Sequence, residues 1–351
     1  MPRRVLIGRF FCLAAGLLCL AAEESRAAEA LPRLGVTLAE TSVSGLSSGA
    51  YMAGQMQVAH SKNIVGAALV AGGPYGCAET ASSQLFPYWP VVVWQNATQA
   101  TNGCMQVSFG RPDPQRLAER AEDLASDGKI DPLSGLAADK IYLFSGDKDD
   151  VVRREVVEAA KRFYEAAGVP PGQIAFIQRP GGHAFLTEEE GGACGLSEKP
   201  YISDCDYDQA KAILEWIYGP LAEPAAEPEG QFRVFDQSPF DDGLPNGLAA
   251  EGVVYVPKAC AEGPACRLHI AFHGCGQARE AIGDAFIDKS GFARYADTNR
   301  LVILFPQIKA SLVNPKGCWD WWGYTGIDYL DKDAEQISAV WKMAEALAGR
   351  P

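Results

Sequence analysis

Histidine is scarce in this sequence, and the residue types that bind metals do not fall into ligand patterns. The 351 residues include only four histidines and no C-x-x-C pair, and no histidine stands at zinc-ligand spacing. We therefore expect no metal and no other cofactor. His60 falls at the end of a predicted helix, and we expect it at the protein surface. The search for a catalytic base is accordingly short.

Positive charge is also in short supply. The chain has 31 lysines and arginines against 44 aspartates and glutamates, a formal net charge of −13 and a pI of about 4.9. No basic stripe occurs, and this balance disfavours binding to nucleic acid or to anionic membranes. The composition is otherwise that of an ordinary globular protein, and the length suffices for one large α/β domain or two small ones.

The apolar run near the start of the chain is too short to cross a bilayer comfortably. Arginines precede it, residues 10–22 form it, and small residues follow. This order is typical of a secretory signal peptide, which we place at residues 1–28, with a retained membrane anchor as the alternative. The mature protein would then be residues 29–351, exported to the extracellular space or the periplasm and free of the membrane.

The cysteines predict disulfide bonds. Ten occur, and Cys12 and Cys19 leave with the signal peptide. An even number in an exported chain favours disulfides over the competing zinc interpretation, although the pairing stays open. The remaining eight are Cys77, Cys104, Cys194, Cys205, Cys260, Cys266, Cys275 and Cys318.

Apolar runs and amphipathic stretches alternate along most of the chain, which predicts an α/β fold with a mostly parallel sheet covered by helices on both faces. Residues 75–110 break the alternation and are interpreted as an irregular cap or loop layer. Residues 220–230 have linker composition, but strands continue beyond them, so we expect one catalytic domain with this linker inside it. The predicted strands are 64–71, 140–145, 173–178, 252–257, 268–272 and 301–305, and the predicted helices are 49–60, 114–126, 154–167, 207–218 and 332–348.

The motif Gly45-x-Ser47-x-Gly49 fits a nucleophile elbow, a strained turn from a strand to a helix that exposes a serine hydroxyl. Glycine permits both the backbone angles and the close chain approach that such a turn needs. A short strand end precedes the motif and a helical pattern follows it. The alternative interpretation is a glycine-rich turn without a catalytic role.

A serine nucleophile needs a base and an acid that orients the base. His183 follows a predicted strand in a glycine-flanked turn, where it can reach the carboxyl edge of the sheet. Asp149 follows the preceding strand, and Asp147 and Asp150 are nearby alternatives. The order Ser47, Asp149, His183 is the order of α/β-hydrolases. A loop histidine that merely caps local backbone is the alternative for His183.

An oxyanion hole in this fold takes one N–H from the residue after the nucleophile, here Ser48. The loop that supplies the second N–H usually precedes the nucleophile, but its His-Gly signature lies far downstream at His273, which places the donor at Cys275. The chain therefore looks circularly permuted, with residues 220–230 joining the old ends. A buried strand-end histidine is the alternative for His273.

These motifs together resemble those of a known family. They are Gly45 to Gly49, Gly146 to Val152, Gly182-His183, His273 to Gly276, and Asn314-x-x-x-Cys-Trp-Asp-Trp. The chain resembles the single-domain, circularly permuted extracellular poly(3-hydroxybutyrate) depolymerases of the α/β-hydrolase superfamily. The resemblance covers nearly the whole mature chain, with the motifs in the same order.

The resemblance implies a triad of Ser47, Asp149 and His183, with the N–H groups of Ser48 and Cys275 as the oxyanion hole. It implies a secreted serine esterase that cleaves poly(3-hydroxybutyrate), or its oligomers, through an acyl-enzyme, and that adsorbs to solid polymer through exposed apolar side chains. We expect a polyester partner, no nucleic acid and a monomer. A feruloyl or acetylxylan esterase is the alternative, and an inactive polymer-binding protein is the alternative from another class.

The resemblance also implies that Cys275 pairs with Cys318 and that Trp319, the next residue, contacts the polyester. We place His273 with Trp319 on the substrate side. Aromatic residues continue to Tyr324, and we expect some of them at the rim of the site and one or two in the core. The other cysteines then suggest Cys194–Cys205 and Cys260–Cys266 by proximity, and Cys77–Cys104 by elimination.

Overall fold

The computed structural model describes residues 28–80, 88–241, 243, 246–263 and 265–349. Nearly all of the predicted signal peptide, residues 1–27, lies outside the described residues. In the described part of the chain, none of the helices combines the length and the apolar character that a membrane crossing requires.

An eight-stranded sheet forms the centre of the molecule, in the order β4-β3-β2-β1-β10-β11-β9-β8. Its first five pairings are parallel, and the two that involve β9 are antiparallel. Three short strands form a second sheet, ordered β5-β7-β6. The strands are β1 Thr41–Leu46, β2 Ile64–Val70, β3 Lys140–Gly146, β4 Ile174–Arg179, β5 Phe185–Thr187, β6 Gly192–Ala193, β7 Ile202–Asp204, β8 Gln231–Asp236, β9 Glu251–Val256, β10 Arg267–Phe272 and β11 Leu301–Phe305.

Helices accompany the parallel strands, as the alternating pattern predicts. The helix that follows β1 is buried along its whole length, because it lies against both β1 and β2. The helices are α1 Ser48–Ala59, α2 Trp89–Gly103, α3 Pro114–Ser126, α4 Arg154–Ala166, α5 Gln209–Tyr218, α6 Lys258–Glu262, α7 Arg279–Ile282, α8 Ala285–Lys289, α9 Phe292–Ala296 and α10 Glu335–Ala348.

The central strands read as continuous apolar runs because both of their faces are covered. Every residue of β11 is buried, whereas β8, at the edge of the sheet, is largely exposed. Strands from both sides of residues 220–230 pair in this one sheet, where β1 and β10 run in parallel with Gly45 opposite Phe272. The predicted α/β fold is therefore confirmed, while the circular permutation stays a prediction.

Two local expectations are wrong. Residues 75–110 are not irregular throughout, because they contain α2, whose proline lies in the first turn where a helix tolerates it. His60 is buried, not at the surface, because the ring of Trp341 on α10 stacks on it with the centroids 4.2 Å apart. Burial lowers the pKa of His60 to about 4.

Within the described residues, four disulfides tie the loops to this framework, in the pairs expected from the sequence and the resemblance. One joins the loop after β10 to the loop that carries Trp319, and another holds the end of α2. The pairs are Cys77–Cys104, Cys194–Cys205, Cys260–Cys266 and Cys275–Cys318.

Candidate active site

Ser47 occupies the turn between β1 and α1 with φ 58° and ψ −119°. A positive φ is unfavourable for any residue with a Cβ, and such strain is concentrated at functional sites. The Ser47 N–H donates a hydrogen bond of 2.9 Å to the carbonyl of Val70 on the neighbouring strand, which fixes the turn. Ser47 is half-buried although all six residues of β1 are buried, so the turn brings a single serine to the edge of the sheet.

The two glycines of the motif are required by close approach of the backbone. A Cβ on Gly45 would lie 2.3 Å from the carbonyl carbon of Gly49. A Cβ on Gly49 would lie 2.3 Å from the carbonyl oxygen of Phe272, at the end of β10. The elbow is therefore packed against its own helix and against the strand that leads into the His273 loop.

His183 and Asp149 meet where the loops after β3 and β4 approach each other. His183 Nδ1 and Asp149 Oδ2 are 2.9 Å apart, and both side chains are buried. The other carboxylate oxygen, Oδ1, accepts hydrogen bonds of 2.9 Å from the N–H groups of Val151 and Val152. With Nδ1–H donating to the carboxylate, Nε2 of His183 is left as a proton acceptor.

The two alternative acids have other surroundings. Asp147 Oδ1 accepts a hydrogen bond of 3.2 Å from the Gly181 N–H, and so holds the turn before His183. Asp150 uses its backbone carbonyl to accept from Gln106 Nε2. In the described part of the chain, Asp149 is the carboxylate that bonds to the imidazole.

The loop after β10 lies directly beside Ser47. A Cβ on Gly274 would lie 3.5 Å from Ser47 Cβ, in ordinary van der Waals contact. The side chain of Gln277 closes this loop: its Oε1 accepts a 2.7 Å hydrogen bond from the Gly274 N–H, and its Nε2 donates to the carbonyl of Pro200 at 3.0 Å. The turn thus holds Gly274 next to the serine, with Cys275 as the following residue.

The two expected oxyanion donors are the backbone N–H groups of Ser48 and Cys275. Ser48 is the first residue of α1, where an N–H group has no acceptor within its own helix. Among the described residues, neither the Ser48 N–H nor the Cys275 N–H donates to a turn, loop or side-chain acceptor. That these two N–H groups bind the oxyanion stays a prediction.

His273 is fully buried, and its hydrogen bonds define its tautomer. Nε2 accepts from the Ile308 N–H at 3.3 Å, so the proton is on Nδ1, which donates to the Gly274 carbonyl at 2.8 Å. Burial lowers the pKa of His273 to about 4, and the imidazole is neutral at pH 7. Its contacts serve to hold the loop, and the expected role in substrate binding stays a prediction.

Trp319 is 0% exposed, with its ring against those of Phe272 and His273 at centroid distances of 4.9 and 5.6 Å. The backbone N–H of Trp319 donates to Ser48 Oγ at 3.4 Å, so the Trp319 backbone lies beside the elbow. The side chain of Asn314 braces the same loop through the N–H and the carbonyl of Cys318. The expected contact between Trp319 and substrate stays a prediction, since the ring is covered in this structure.

The aromatic residues after Trp319 are arranged around a buried carboxylate. Asp320 accepts hydrogen bonds from the N–H groups of Trp322, Gly323, Tyr324 and Thr325, and from the Thr325 hydroxyl. Burial raises the pKa of Asp320, and these bonds oppose the rise. Because the carboxylate gathers the loop into one turn, it positions the aromatic rings beside α1.

A second serine–histidine cluster lies inside the sheet. His269 on β10 is bonded to the hydroxyls of Ser42 and Ser44 on β1, at 2.7 and 2.8 Å. All three residues are 0% exposed, and burial lowers the pKa of His269 to about 3. No ester can reach these hydroxyls, so the cluster joins two strands and does not compete with Ser47.

Two residues that position the site have no recognisable motif in the sequence. Gln277 holds the loop beside Ser47, and Ser197 Oγ accepts a 2.8 Å hydrogen bond from the His183 N–H. The position of Gln277, four residues after His273 in a glycine-rich loop, is the one sequence feature that could have indicated its role. No local pattern indicates the role of Ser197, because its partner His183 lies 14 residues away in the sequence. Among the described residues, no group of three or more histidine, cysteine or acidic side chains is placed to hold a metal ion.

No protein-family model matches the chain, but individual proteins do. Over 328 residues it is 37% identical to the poly(3-hydroxybutyrate) depolymerase of Delftia acidovorans; this covers 92% of the chain and 62% of that longer protein. Over 337 residues it is 36% identical to the polyhydroxybutyrate depolymerase of Talaromyces funiculosus, covering 90% of the chain and 89% of that protein.

Two solved structures share the fold. A PHB depolymerase variant complexed with an R3HB trimer matches with a TM-score of 0.81, and the PHB depolymerase of Penicillium funiculosum with 0.80. Each is 32% identical, and each comparison covers 92% of this chain and 100% of the other. The chain therefore belongs to the poly(3-hydroxybutyrate) depolymerase family, a family of carboxylic ester hydrolases.

Proposed function

We propose that this protein hydrolyses the ester bonds of poly(3-hydroxybutyrate), or of its oligomers, with Ser47 as nucleophile, His183 as base and Asp149 as the orienting acid. The observation that carries the proposal is the 2.9 Å hydrogen bond between His183 Nδ1 and Asp149 Oδ2. It leaves Nε2 as the proton acceptor that a serine nucleophile needs.

The reaction proceeds through an acyl-enzyme. Ser47 Oγ attacks the ester carbonyl while Nε2 of His183 takes its proton. The N–H groups of Ser48 and Cys275 stabilise the negative oxygen of the tetrahedral intermediate, a contribution of typically about 3–4 kcal/mol for each donor. His183 then gives the proton to the leaving alkoxide oxygen, which departs as a hydroxyl, and water repeats the sequence on the acyl-enzyme to release the acid.

The choice of polyester as substrate is supported by the relatives, which are named for it. The chain spans 62% of the Delftia protein, so its activity on the polymer is part of the proposal. Neither the feruloyl or acetylxylan esterase alternative nor an inactive binding protein is supported by the comparisons. We also propose secretion, consistent with the four disulfides, and a monomeric state.

We further propose that the chain order is permuted. The strand that leads into the oxyanion loop, β10, pairs in parallel with the strand that leads into the nucleophile, β1. In α/β-hydrolases the oxyanion loop comes from an early strand, before the nucleophile. Here β10 comes some two hundred residues after β1 but occupies the adjacent position, which supports a join at residues 220–230.

The helix α2 supplies a candidate surface for adsorption to solid polymer. Its first turns expose Tyr88 by 67%, Trp89 by 41%, Val91 by 45% and Trp94 by 69%; we call these four side chains the apolar face of α2. Large exposed apolar side chains grouped on one helix are unusual on a soluble protein and mark interaction surfaces. An insoluble polyester is a flat apolar partner that suits such a surface.

The apolar face of α2 is anchored close to the elbow. The disulfide between Cys77 and Cys104 holds the end of α2, and the hydroxyl of Tyr51 donates to the Cys104 carbonyl. Tyr51 lies in the first turn of α1, four residues after Ser47, and stacks on Trp321 with the ring centroids 4.0 Å apart. Trp94 precedes Cys104 by ten residues, and an α-helix rises about 1.5 Å per residue. The two residues are therefore separated by about 15 Å along the helix axis.

Replacement of both indoles, Trp89→Ala with Trp94→Ala, is expected to weaken adsorption to polymer particles by about a hundredfold or more, because burying each large apolar side chain contributes ~1.5–3 kcal/mol and every 1.4 kcal/mol is about tenfold in affinity. Hydrolysis of a soluble ester should be unchanged. Depletion of protein from the supernatant of a particle suspension measures the effect. Phe232→Ala, which removes an aromatic ring 43% exposed on β8, is the matched control. Equal adsorption of both variants and the parent would exclude this surface.

The proposed function is tested by the clearing of a poly(3-hydroxybutyrate) suspension, with the sizes of the products measured. We expect clearing, release of short hydroxy acids and a fluorophosphonate adduct on Ser47. Feruloyl sugar esters and acetylxylan should be poor substrates. If Ser47 is labelled but only the feruloyl or acetylxylan esters are hydrolysed, the protein is a carbohydrate esterase and not a polyester hydrolase. If no adduct forms, the inactive polymer-binding protein is favoured.

A further inference from the structure

Residues 194–205 form a closed loop that lies between the catalytic base and the loop after β10. The disulfide between Cys194 and Cys205 closes it. β6 ends immediately before this loop, and β7 lies near its end; the two strands pair with each other, and β7 also pairs with β5. We call residues 194–205 the 194–205 loop, and residues 273–277, which include the expected donor Cys275, the oxyanion loop. The ends of the 194–205 loop are therefore fixed by a covalent bond and by strand pairing.

One side of the 194–205 loop holds the backbone of the catalytic base. Ser197 Oγ accepts a hydrogen bond of 2.8 Å from the His183 N–H. The loop backbone also packs directly on the residue before the base, because a Cβ on Gly182 would lie 2.6 Å from the Leu196 carbonyl oxygen. His183 is thus held at two points, by its imidazole through Asp149 and by its backbone through the 194–205 loop.

The other side of the 194–205 loop holds the oxyanion loop. Gln277 is 1% exposed, and its Nε2 donates to the carbonyls of Pro200 and Tyr201 at 3.0 and 3.2 Å. Its Oε1 accepts a hydrogen bond of 2.7 Å from the N–H of Gly274, the residue before Cys275. The amide of Gln277 therefore connects the 194–205 loop directly to the turn that carries the expected donor.

The two sides meet at a single carbonyl group. The Tyr201 carbonyl accepts hydrogen bonds from the Phe185 N–H at 2.9 Å and from Gln277 Nε2 at 3.2 Å. Phe185 begins β5, two residues after His183, so one oxygen joins the chain of the base to the side chain that holds the oxyanion loop. Tyr201 has φ 58°, which is unfavourable for a residue with a Cβ, and such strain is concentrated at functional sites.

The sheet by itself does not bring the base and the oxyanion loop together. His183 follows β4 and the oxyanion loop follows β10, and β3, β2 and β1 lie between these two strands. Both groups must nevertheless act on one substrate carbonyl, with each oxyanion donor about 2.7–3.1 Å from the oxygen that becomes charged. An error of about 1 Å in such a position can cost roughly 100-fold in rate. A direct connection between the two loops therefore bears on catalysis.

We propose that the 194–205 loop fixes the oxyanion loop relative to His183, and that Gln277 is the positioning residue through which it acts. The proposal rests on the proposed function, since it requires that the Cys275 N–H is an oxyanion donor. Gln277 is buried and acts through Gly274, not on the substrate. Its hydrogen bonds serve the transition state, in which the negative charge develops, so their loss should lower kcat and leave ground-state binding nearly unchanged.

Gln277→Leu is expected to lower kcat on a soluble ester by about 10-fold to 100-fold, with KM changed by less than about threefold. Gln57→Leu is the matched control. Gln57 is also a buried glutamine with a hydrogen bond at each end of its amide, to Asp139 and Tyr164, but Asp139 precedes β3, at the end of the sheet away from Ser47. Its loss should leave kcat as in the parent, and thermal unfolding verifies that both variants are folded. Unchanged kcat in Gln277→Leu, or an equal fall in both variants, would overturn the proposal.

Ser197→Ala breaks the other side of the connection, and a double-mutant cycle tests whether the two sides act together. If the 194–205 loop joins the base to the oxyanion loop, a second substitution adds little once the connection is broken. The variant with both Ser197→Ala and Gln277→Leu should then lose less kcat than the product of the two single losses. Losses that multiply would show that the two sides act independently, and would overturn the connection.

The rate at which a fluorophosphonate labels Ser47 separates this proposal from the proposed function. The reagent also directs a negative oxygen toward the oxyanion donors, so labelling of Gln277→Leu should slow as kcat does, whichever ester is the natural substrate. If the parent and Gln277→Leu are labelled at the same rate, the role of Gln277 is excluded while Ser47 remains the nucleophile. If the parent is neither labelled nor active on an ester, the proposed function is wrong and the role of Gln277 falls with it.

Discussion

Ser47→Ala is expected to lower kcat for ester hydrolysis by about 10⁵-fold to 10⁶-fold, the loss typical when a catalytic serine is removed. The neighbouring Ser48 hydroxyl does not replace it, because Ser48 is buried and its Oγ accepts a hydrogen bond from the backbone N–H of Trp319. The substitution keeps the Cβ and therefore the backbone strain at φ 58°, so the variant should fold as the parent does. Adsorption to polymer should persist, because the apolar face of α2 is unchanged.

Hydrolysis of a soluble ester and clearing of polymer are measured for this variant beside Ser44→Ala. Ser44 is the matched control because it lies three residues before Ser47, on β1, and its hydroxyl bonds to His269 on the neighbouring strand β10. Its loss should cost about 1–3 kcal/mol of stability, because the buried His269 Nε2 loses its partner, and should leave hydrolysis intact. Normal turnover by Ser47→Ala, or loss of turnover in a folded Ser44→Ala protein, would show that the assignment of Ser47 as the nucleophile is wrong.

The elements that sequence reasoning predicts well are those whose causes are local. Continuous apolar runs predict the central strands β10 and β11, because burial on both faces leaves little room for polar residues. The glycine spacing predicts the elbow, because the backbone of Gly49 in the same turn leaves no room for a Cβ on Gly45. These features need no knowledge of distant parts of the chain.

The features that sequence reasoning misses have distant causes. His60 is covered by Trp341, 281 positions later, and no local pattern shows this. The helix α2 escapes detection because it presents tryptophan and valine to solvent, so it lacks the usual amphipathic pattern. The role of Gln277 follows from the approach of Pro200 to the same loop. Only the tertiary structure supplies these contacts.

The loop beside Ser47 depends on contacts from several remote segments at once. Gly274 packs on Ser47, Gln277 bonds to Pro200, and the Gly276 N–H donates to the Lys316 carbonyl at 2.6 Å. The Cys275–Cys318 disulfide adds a covalent link to the last of these segments. Such a loop needs little reorganisation when charge develops on a substrate oxygen, which is the condition under which an oxyanion hole is effective.

Asp149→Asn is expected to lower kcat by about 10⁴-fold with a small change in KM, the loss seen when a triad carboxylate becomes an amide. The local hydrogen bonds explain why. Oδ1 accepts from the N–H groups of Val151 and Val152, so the amide oxygen must keep that position. The amide NH₂ then faces Nδ1 of His183 and donates to it. The imidazole proton moves to Nε2, which can no longer accept the proton of Ser47.

The values of kcat and KM on a soluble ester, measured over a range of pH, test this argument, with Asp147→Asn as the matched control. Asp147 stands two residues earlier and accepts a single N–H, that of Gly181, which an amide oxygen can also accept. Its replacement should change kcat by less than about tenfold, since one neutral hydrogen bond contributes ~1 kcal/mol. If the two variants lose activity equally, the carboxylates act together on the loop and the tautomer argument fails. If Asp149→Asn alone is slow and a fluorophosphonate labels it as slowly, the loss lies in activation of the serine, because that reagent requires the same proton transfer to Nε2.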